Sequence, residues 1–126
     1  MINKFAPIAL AAALTAGCAT LGSTGGDRTA ELRIGQTTEF GGHKVTVLKL
    51  VEDSRCPVEV NCVWAGRVKI TLGIDRRDGT NVRELSSDAP IQALGGTLEL
   101  LRTQPDRRAD RNIAPGDYRF TIRYTR

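Results

Sequence analysis

The last ten residues, "DYRFTIRYTR" (Asp117–Arg126), carry the pattern that decides the fold. Tyr118, Phe120, Ile122 and Tyr124 alternate with Asp117, Arg119, Thr121 and Arg123. A period of two puts successive side chains on opposite faces of an extended chain, so the apolar set lines one face and the polar set the other. The segment is a half-buried strand.

The same period recurs upstream. In "CVWAGRVKITLGID" (Cys62–Asp75), the residues Cys62, Trp64, Val68, Ile70, Leu72 and Ile74 share one parity, and Gly66 occupies the slot where a bulge or close approach can sit. The run "HKVTVLKLVED" (His43–Asp53) is apolar on both parities, as a central or bulged strand would be. "RRDG" (Arg76–Gly79) marks a hairpin turn before "TNVREL", "TLELLRT" (Thr97–Thr103) follows the Gly95–Gly96 break, and "APG" (Ala114–Gly116) leads into the final strand. Weaker strands are expected near Glu31–Ile34 and Thr37–Phe40. No stretch has sustained helical periodicity. Six to eight short strands between turn signals predict an all-β fold: a small antiparallel β-sandwich, Ig-like, or a small barrel.

The N-terminus speaks to location. "MINKFAPIALAAALTAGC" has a basic residue, Lys4, then an apolar run from Phe5 to Leu14, the form of a secretory signal, and it is shorter than the roughly 20 apolar residues of a membrane span. It closes on "LTAGC", which resembles the lipobox of bacterial lipoproteins, with Thr15 in the usual Leu position. That resemblance implies a signal peptide over residues 1–17 and diacylation of Cys18. Two acyl chains hold a protein durably on a membrane. Ala19 rather than Asp after the cysteine implies an outer-membrane lipoprotein facing the periplasm. "ATLGSTGGDRT" (Ala19–Thr29), rich in Gly, Ser and Thr, reads as a flexible tether reaching about 17–20 Å in root-mean-square terms. One domain over residues 30–126 follows.

The charge balance narrows the partners. The chain of 126 residues has 18 basic and 14 acidic side chains, and loss of Lys4 with the signal leaves 17 basic ones. They are interleaved with acids, as in "DRRDG" (Asp75–Gly79) and "PDRRADR" (Pro105–Arg111), which describes a solvated face with local ion pairs. No nucleic-acid-binding motif is present, and none is expected of an envelope protein. Contact with an envelope protein or with anionic lipid or wall polymers stays open.

The densest chemistry lies in "DSRCPVEVNCVWAG" (Asp53–Gly66), which holds the single Trp and two of the three Cys. With Cys18 acylated, Cys56 and Cys62 remain as a pair in an oxidising compartment, where a disulfide is the default. Pro57 restricts the turn, Asp53 and Ser54 can bond nearby amides, and Trp64, on the strand face of Cys62, is expected to cover the sulfurs or plug the end of the core. Arg55 has two readings: an ion pair with Asp53 or Glu52, or a planar fork offered to a partner's carboxylate or phosphate.

Other chemistries fit less well. A metal or redox module would use Cys56, Cys62 and His43, the one histidine, at a spacing unlike that of zinc sites or of Cys-x-x-Cys at a helix start. No Gly-x-Ser-x-Gly motif occurs, and Glu52 and Asp53, adjacent on a strand, point to opposite faces rather than forming an acid/base pair. No catalytic residue, metal site or cofactor is therefore assigned.

"DSRCP" followed by "CVWAG" resembles a motif in a family of small, mostly uncharacterised bacterial secreted proteins and lipoproteins. Asp53, Ser54, Arg55, Cys56, Pro57, Cys62, Trp64 and Gly66 carry the match. It implies an envelope β-domain and brings no activity with it. The expectation is a lipid-anchored protein that binds rather than catalyses, with an inhibitor of a periplasmic enzyme or a stress-response lipoprotein as the main alternative.

Overall fold

A computed structural model describes Gly17 and residues 27–126. The expected signal peptide apart from Gly17, the lipidation site Cys18 and most of the tether lie outside the described residues. Eight strands and one short 3-10 turn make up the rest: β1 (Arg28–Leu32), β2 (Thr37–Phe40), β3 (His43–Asp53), β4 (Val68–Arg76), β5 (Gly79–Ser86), β6 (Ile91–Ala93), β7 (Gly96–Gln104) and β8 (Arg119–Thr125), with the turn at Pro115–Asp117.

The strands form two antiparallel four-stranded sheets, ordered β1-β8-β7-β6 and β2-β3-β4-β5. Within each sheet the chain runs as a meander, except that β8 returns to lie between β7 and β1. It crosses between sheets at β1–β2 and β5–β6. Among the described residues the topology is thus up-and-down, with no Greek-key crossover of the immunoglobulin kind.

The alternation in the closing segment holds. Tyr118, Phe120, Ile122 and Tyr124 are buried, while Asp117 and Arg119 are exposed. From the facing sheet come Phe40, Val45, Val47, Val68, Ile70, Leu72, Ile74 and Leu85, and these two sets make one core. Burial of the apolar face is the main force holding the sheets together.

β3 contains two irregularities in its ladder with β4, one between Val47 and Lys49 and one between Leu50 and Glu52. The extra residues, Leu48 and Val51, turn outward. This is why the sequence of β3 is apolar on both parities: each bulge flips the phase of the alternation. The hairpin at "RRDG" forms with a two-residue loop, Arg76 pairing with Gly79.

Three details depart from the sequence reading. β1 begins at Arg28, so its ladder with β8 takes in the last two residues read as tether and ends before Arg33 and Ile34. β6 has only three residues, too few to show a period. β4 starts at Val68, and residues 62–67 lie in a loop. The parity that joins Cys62 and Trp64 to Val68 is therefore coincidental.

The registers define two poles. Arg28, Thr125 and Gly96 lie at one end of their sheet, and the Phe40–His43 and Arg76–Gly79 hairpins at the same end of the other, as shown by the Phe40–Tyr124 ring contact at 6.0 Å. Asp53, Val68, Gln104 and Arg119 mark the opposite pole, where the Asp53–Gly66 loop and the 105–118 loop meet.

Candidate functional site

The Asp53–Gly66 loop leaves β3 and re-enters at β4, and its base is fastened by a polar clasp. Arg55 donates from Nε to Asp53 Oδ1 at 2.8 Å and from Nη2 to Asp53 Oδ2 at 2.9 Å, a two-pronged pairing that fits the planar guanidinium. Its Nη1 donates to the Thr103 carbonyl at 2.9 Å. The Tyr118 hydroxyl donates to Asp53 Oδ2 at 2.8 Å. Since Asp53 ends a strand of one sheet, while Thr103 lies in β7 of the other and Tyr118 directly precedes β8, the clasp joins the two sheets at this pole.

The electrostatics follow from that geometry. Burial pushes the Asp53 carboxyl up, but the hydrogen bonds from Arg55 and Tyr118 and the Arg55 charge outweigh it, so its pKa sits below the ordinary value. Arg55 is raised, chiefly by its hydrogen bond to Asp53. Tyr118 is pushed up to about 12 by burial and by donation to the carboxylate. The clasp thus keeps one charge pair and one phenolic proton over a wide pH range. Asp53 and Arg55 side chains are only 7% and 20% exposed, so the pair is more enclosed than the surface ion pair expected from sequence.

Gly66 completes the base. A Cβ on it would lie 1.6 Å from the Ser54 carbonyl oxygen, so only glycine permits this approach. Beside it the Ser54 and Arg67 backbones bond (Ser54 N to Arg67 O, 2.9 Å), and the Arg67 amide donates to Ser54 Oγ at 3.0 Å. Glu52, on the other face of β3, accepts from Arg67 Nε at 2.5 Å, and Arg67 Nη1 also approaches Asp88 at 3.7 Å.

Higher in the loop, Cys56 and Cys62 form the expected disulfide, with Cα atoms 5.9 Å apart. The 105–113 segment straps its flank. Val58 N donates to the Arg107 carbonyl (3.0 Å), Arg107 Nη1 to the Arg55 carbonyl (2.9 Å) and Ala109 N to Glu59 Oε2 (3.0 Å), with Arg108 3.5 Å from Glu59. A shallow cleft of about 200 Å³ runs beside the clasp, lined by Asp53, Arg107, Arg111 and Tyr118 among others.

Trp64 corrects the sequence reading. It neither covers the sulfurs nor plugs the core: it is 77% exposed, and its neighbour Val63 is 94% exposed. Val58 and Val60 are also about half exposed, at 56% and 48%. The physical reason is the closure of the loop. A ring of seven residues has no interior, and Gly66 pressed against Ser54 turns the segment away from the sheet before β4 begins. Cys62 is likewise exposed and Cys56 half-buried, fixed by their bond rather than by packing. The valines were legible in "VEVNCVW" as apolar residues with nowhere to go, a signal that parity counting passes over.

Pro57 is half-buried beside the disulfide, and Ser54 is exposed while bonded to the Arg67 backbone. His43 sits at the far pole, its Nδ1 3.3 Å from the Asp75 carbonyl, so the structure does not bring it to Cys56 and Cys62 as a metal module would need. Among the described residues no three His, Cys, Asp or Glu side chains gather as a metal site would require. Compared with protein-family models, with curated proteins and with solved structures, the chain matches none of them.

Proposed function

We propose that this is a lipid-anchored cell-envelope protein of non-enzymatic, binding character, held on the outer membrane through Cys18 and working through the pole that carries the Asp53–Gly66 loop. One observation carries the binding part. The motif residues Asp53, Ser54, Arg55, Cys56, Cys62 and Gly66 all serve to hold the loop, while the residues it holds out, Val63 and Trp64, have no internal role. An apolar tip kept rigid in water costs solubility and contributes nothing to the core, which favours a contact made outside the chain.

Catalysis finds less support in the same geometry. The titratable groups of the clasp are shifted away from neutrality in both directions, whereas general acid–base chemistry is best served near it. Arg55 spends its fork on Asp53 and Thr103, which favours the reading of it as a turn-shaping residue over that of a partner contact.

Anchoring rests on the signal-like run and "LTAGC". Cells fed a palmitate analogue should label the wild type and not Cys18→Ala, which should leave the membrane fraction or persist as precursor. An unlabelled wild type whose mature N-terminus is not Cys18 would overturn it. A second reading, inhibition of an envelope hydrolase, is favoured by the braced loop, since a rigid projecting loop is a form that fits an enzyme's cleft.

A further inference from the structure

We infer that the tip formed by Val58, Val60, Val63 and Trp64 is a knob that seats in an apolar pocket of another envelope protein. The inference deepens the binding reading above by naming the chemistry of the partner. Three observations select a protein pocket over a bilayer or an anionic polymer.

The first is charge. A cationic collar would draw the tip to anionic headgroups, yet three of the arginines at this pole are paired with acids. Arg55 pairs with Asp53, Arg67 with Glu52 and Asp88, and Arg108 with Glu59. Arg107 and Arg111 stand in "PDRRADR" among Asp106 and Asp110. An apolar knob in a balanced collar offers little long-range attraction to a polyanion, and it suits a pocket that excludes water.

The second is stiffness. The disulfide, the Arg55–Asp53 clasp, the Gly66–Ser54 approach and the Val58–Arg107 and Glu59–Ala109 bonds all fix the loop. A fluid interface needs no such definition. A shaped pocket does, because order present before binding reduces the entropy lost on binding.

The third is position. Strand β1 starts at the opposite pole, where Arg28 pairs with Tyr124. The ten residues from Cys18 to Arg28 reach about 16–19 Å in root-mean-square terms, about half of the roughly 35 Å that the 11-residue strand β3 spans between the poles. With the lipid on Cys18, the loop pole therefore stands away from the anchoring leaflet, toward other proteins of the compartment.

The test uses the full-length chain in its own cells, with the photo-crosslinking residue p-benzoylphenylalanine in place of Val63 or, as a control at the far pole, of Lys44. The expected result is a discrete protein adduct from position 63 and none from 44. In detergent-solubilised envelope, unlabelled wild-type chain should compete for that adduct. Trp64→Ala, with its unfolding midpoint unchanged, should compete about thirtyfold less well, as loss of a central aromatic anchor does. Competition should change less than about threefold between low and high salt. Adducts to lipid alone, no adduct at 63, or equal competition by Trp64→Ala would each overturn the inference. Failure of palmitate labelling would instead remove the anchor, and with it the positional argument, while leaving the adduct and its dependence on Trp64 to stand.

Discussion

Two residues of one short motif do opposite things, and stability measurements can separate them. Gly66 is enclosed by the Ser54 backbone, so Gly66→Ala must push the base of the loop apart, and we expect a loss of at least about 2–3 kcal/mol in urea unfolding. Trp64, out in solvent, should tolerate Ala within about 0.5 kcal/mol. Equal losses at both positions would contradict the exposed placement of the indole. Arg55→Ala leaves the enclosed Asp53 carboxylate with only Tyr118 as a side-chain partner, at an expected cost of about 2–3 kcal/mol. Arg55→Lys should recover less than half of that, because an ammonium cannot reach both carboxylate oxygens and the Thr103 carbonyl together. Full recovery by Lys would mean that charge alone, not the fork, matters at this position.

At the level of elements, the loop and the sheets contribute differently. The disulfide closes a ring of seven residues, for which loop-closure entropy gives about 2–2.5 kcal/mol. Replacing both cysteines with serine should lower stability by that amount and leave the ladders of β3, β4, β7 and β8 formed. Hydrogen exchange can check this: central-strand amides should stay protected while those of residues 57–65 exchange faster than in the wild type. Simultaneous loss of protection in β4 and β8 would show that the loop is required for the sandwich itself. The two bulges in β3 belong to this scale too. Leu48, outside the pairing, lies over Gly73, so that the outer face of β4 is covered where glycine leaves room.

The whole molecule feels the clasp through pH, because Asp53, Arg55 and Tyr118 tie one sheet to the other. The Tyr118 pKa is raised to about 12 in the fold, so its contribution is complete below the unfolded value near 10 and is lost as pH rises from about 10 to 12. With solvent screening allowed for, that loss should be about 1–2 kcal/mol. Asp53 runs the other way: its folded pKa is depressed, so its contribution is present above the unfolded value near 4 and fades as pH falls below that. Urea unfolding at pH 9 and 11 should show the alkaline decline in the wild type and a smaller one in Tyr118→Phe. An identical decline in the two chains would assign it to other groups.

Strand alternation made an all-β fold legible while leaving sandwich and small barrel both open; the two four-stranded sheets settle it as a sandwich. In "DYRFTIRYTR" and in Val68–Ile74 the period of two is local, and burial of one face follows from it whatever the partner sheet. The cysteine pair was equally legible, since proximity in sequence makes a short ring easy to close. What sequence could not decide was direction. Whether Trp64 lies on the core face depends on where β4 begins, and that is set by Gly66 meeting Ser54 across the loop, a contact between residues twelve apart. Likewise Arg55 could have faced outward, and it turns inward only because Thr103 and Tyr118, about 50 and 60 residues later, supply the acceptor and the donor that complete its pairing with Asp53. Such choices are made where distant segments meet, and no local period encodes them.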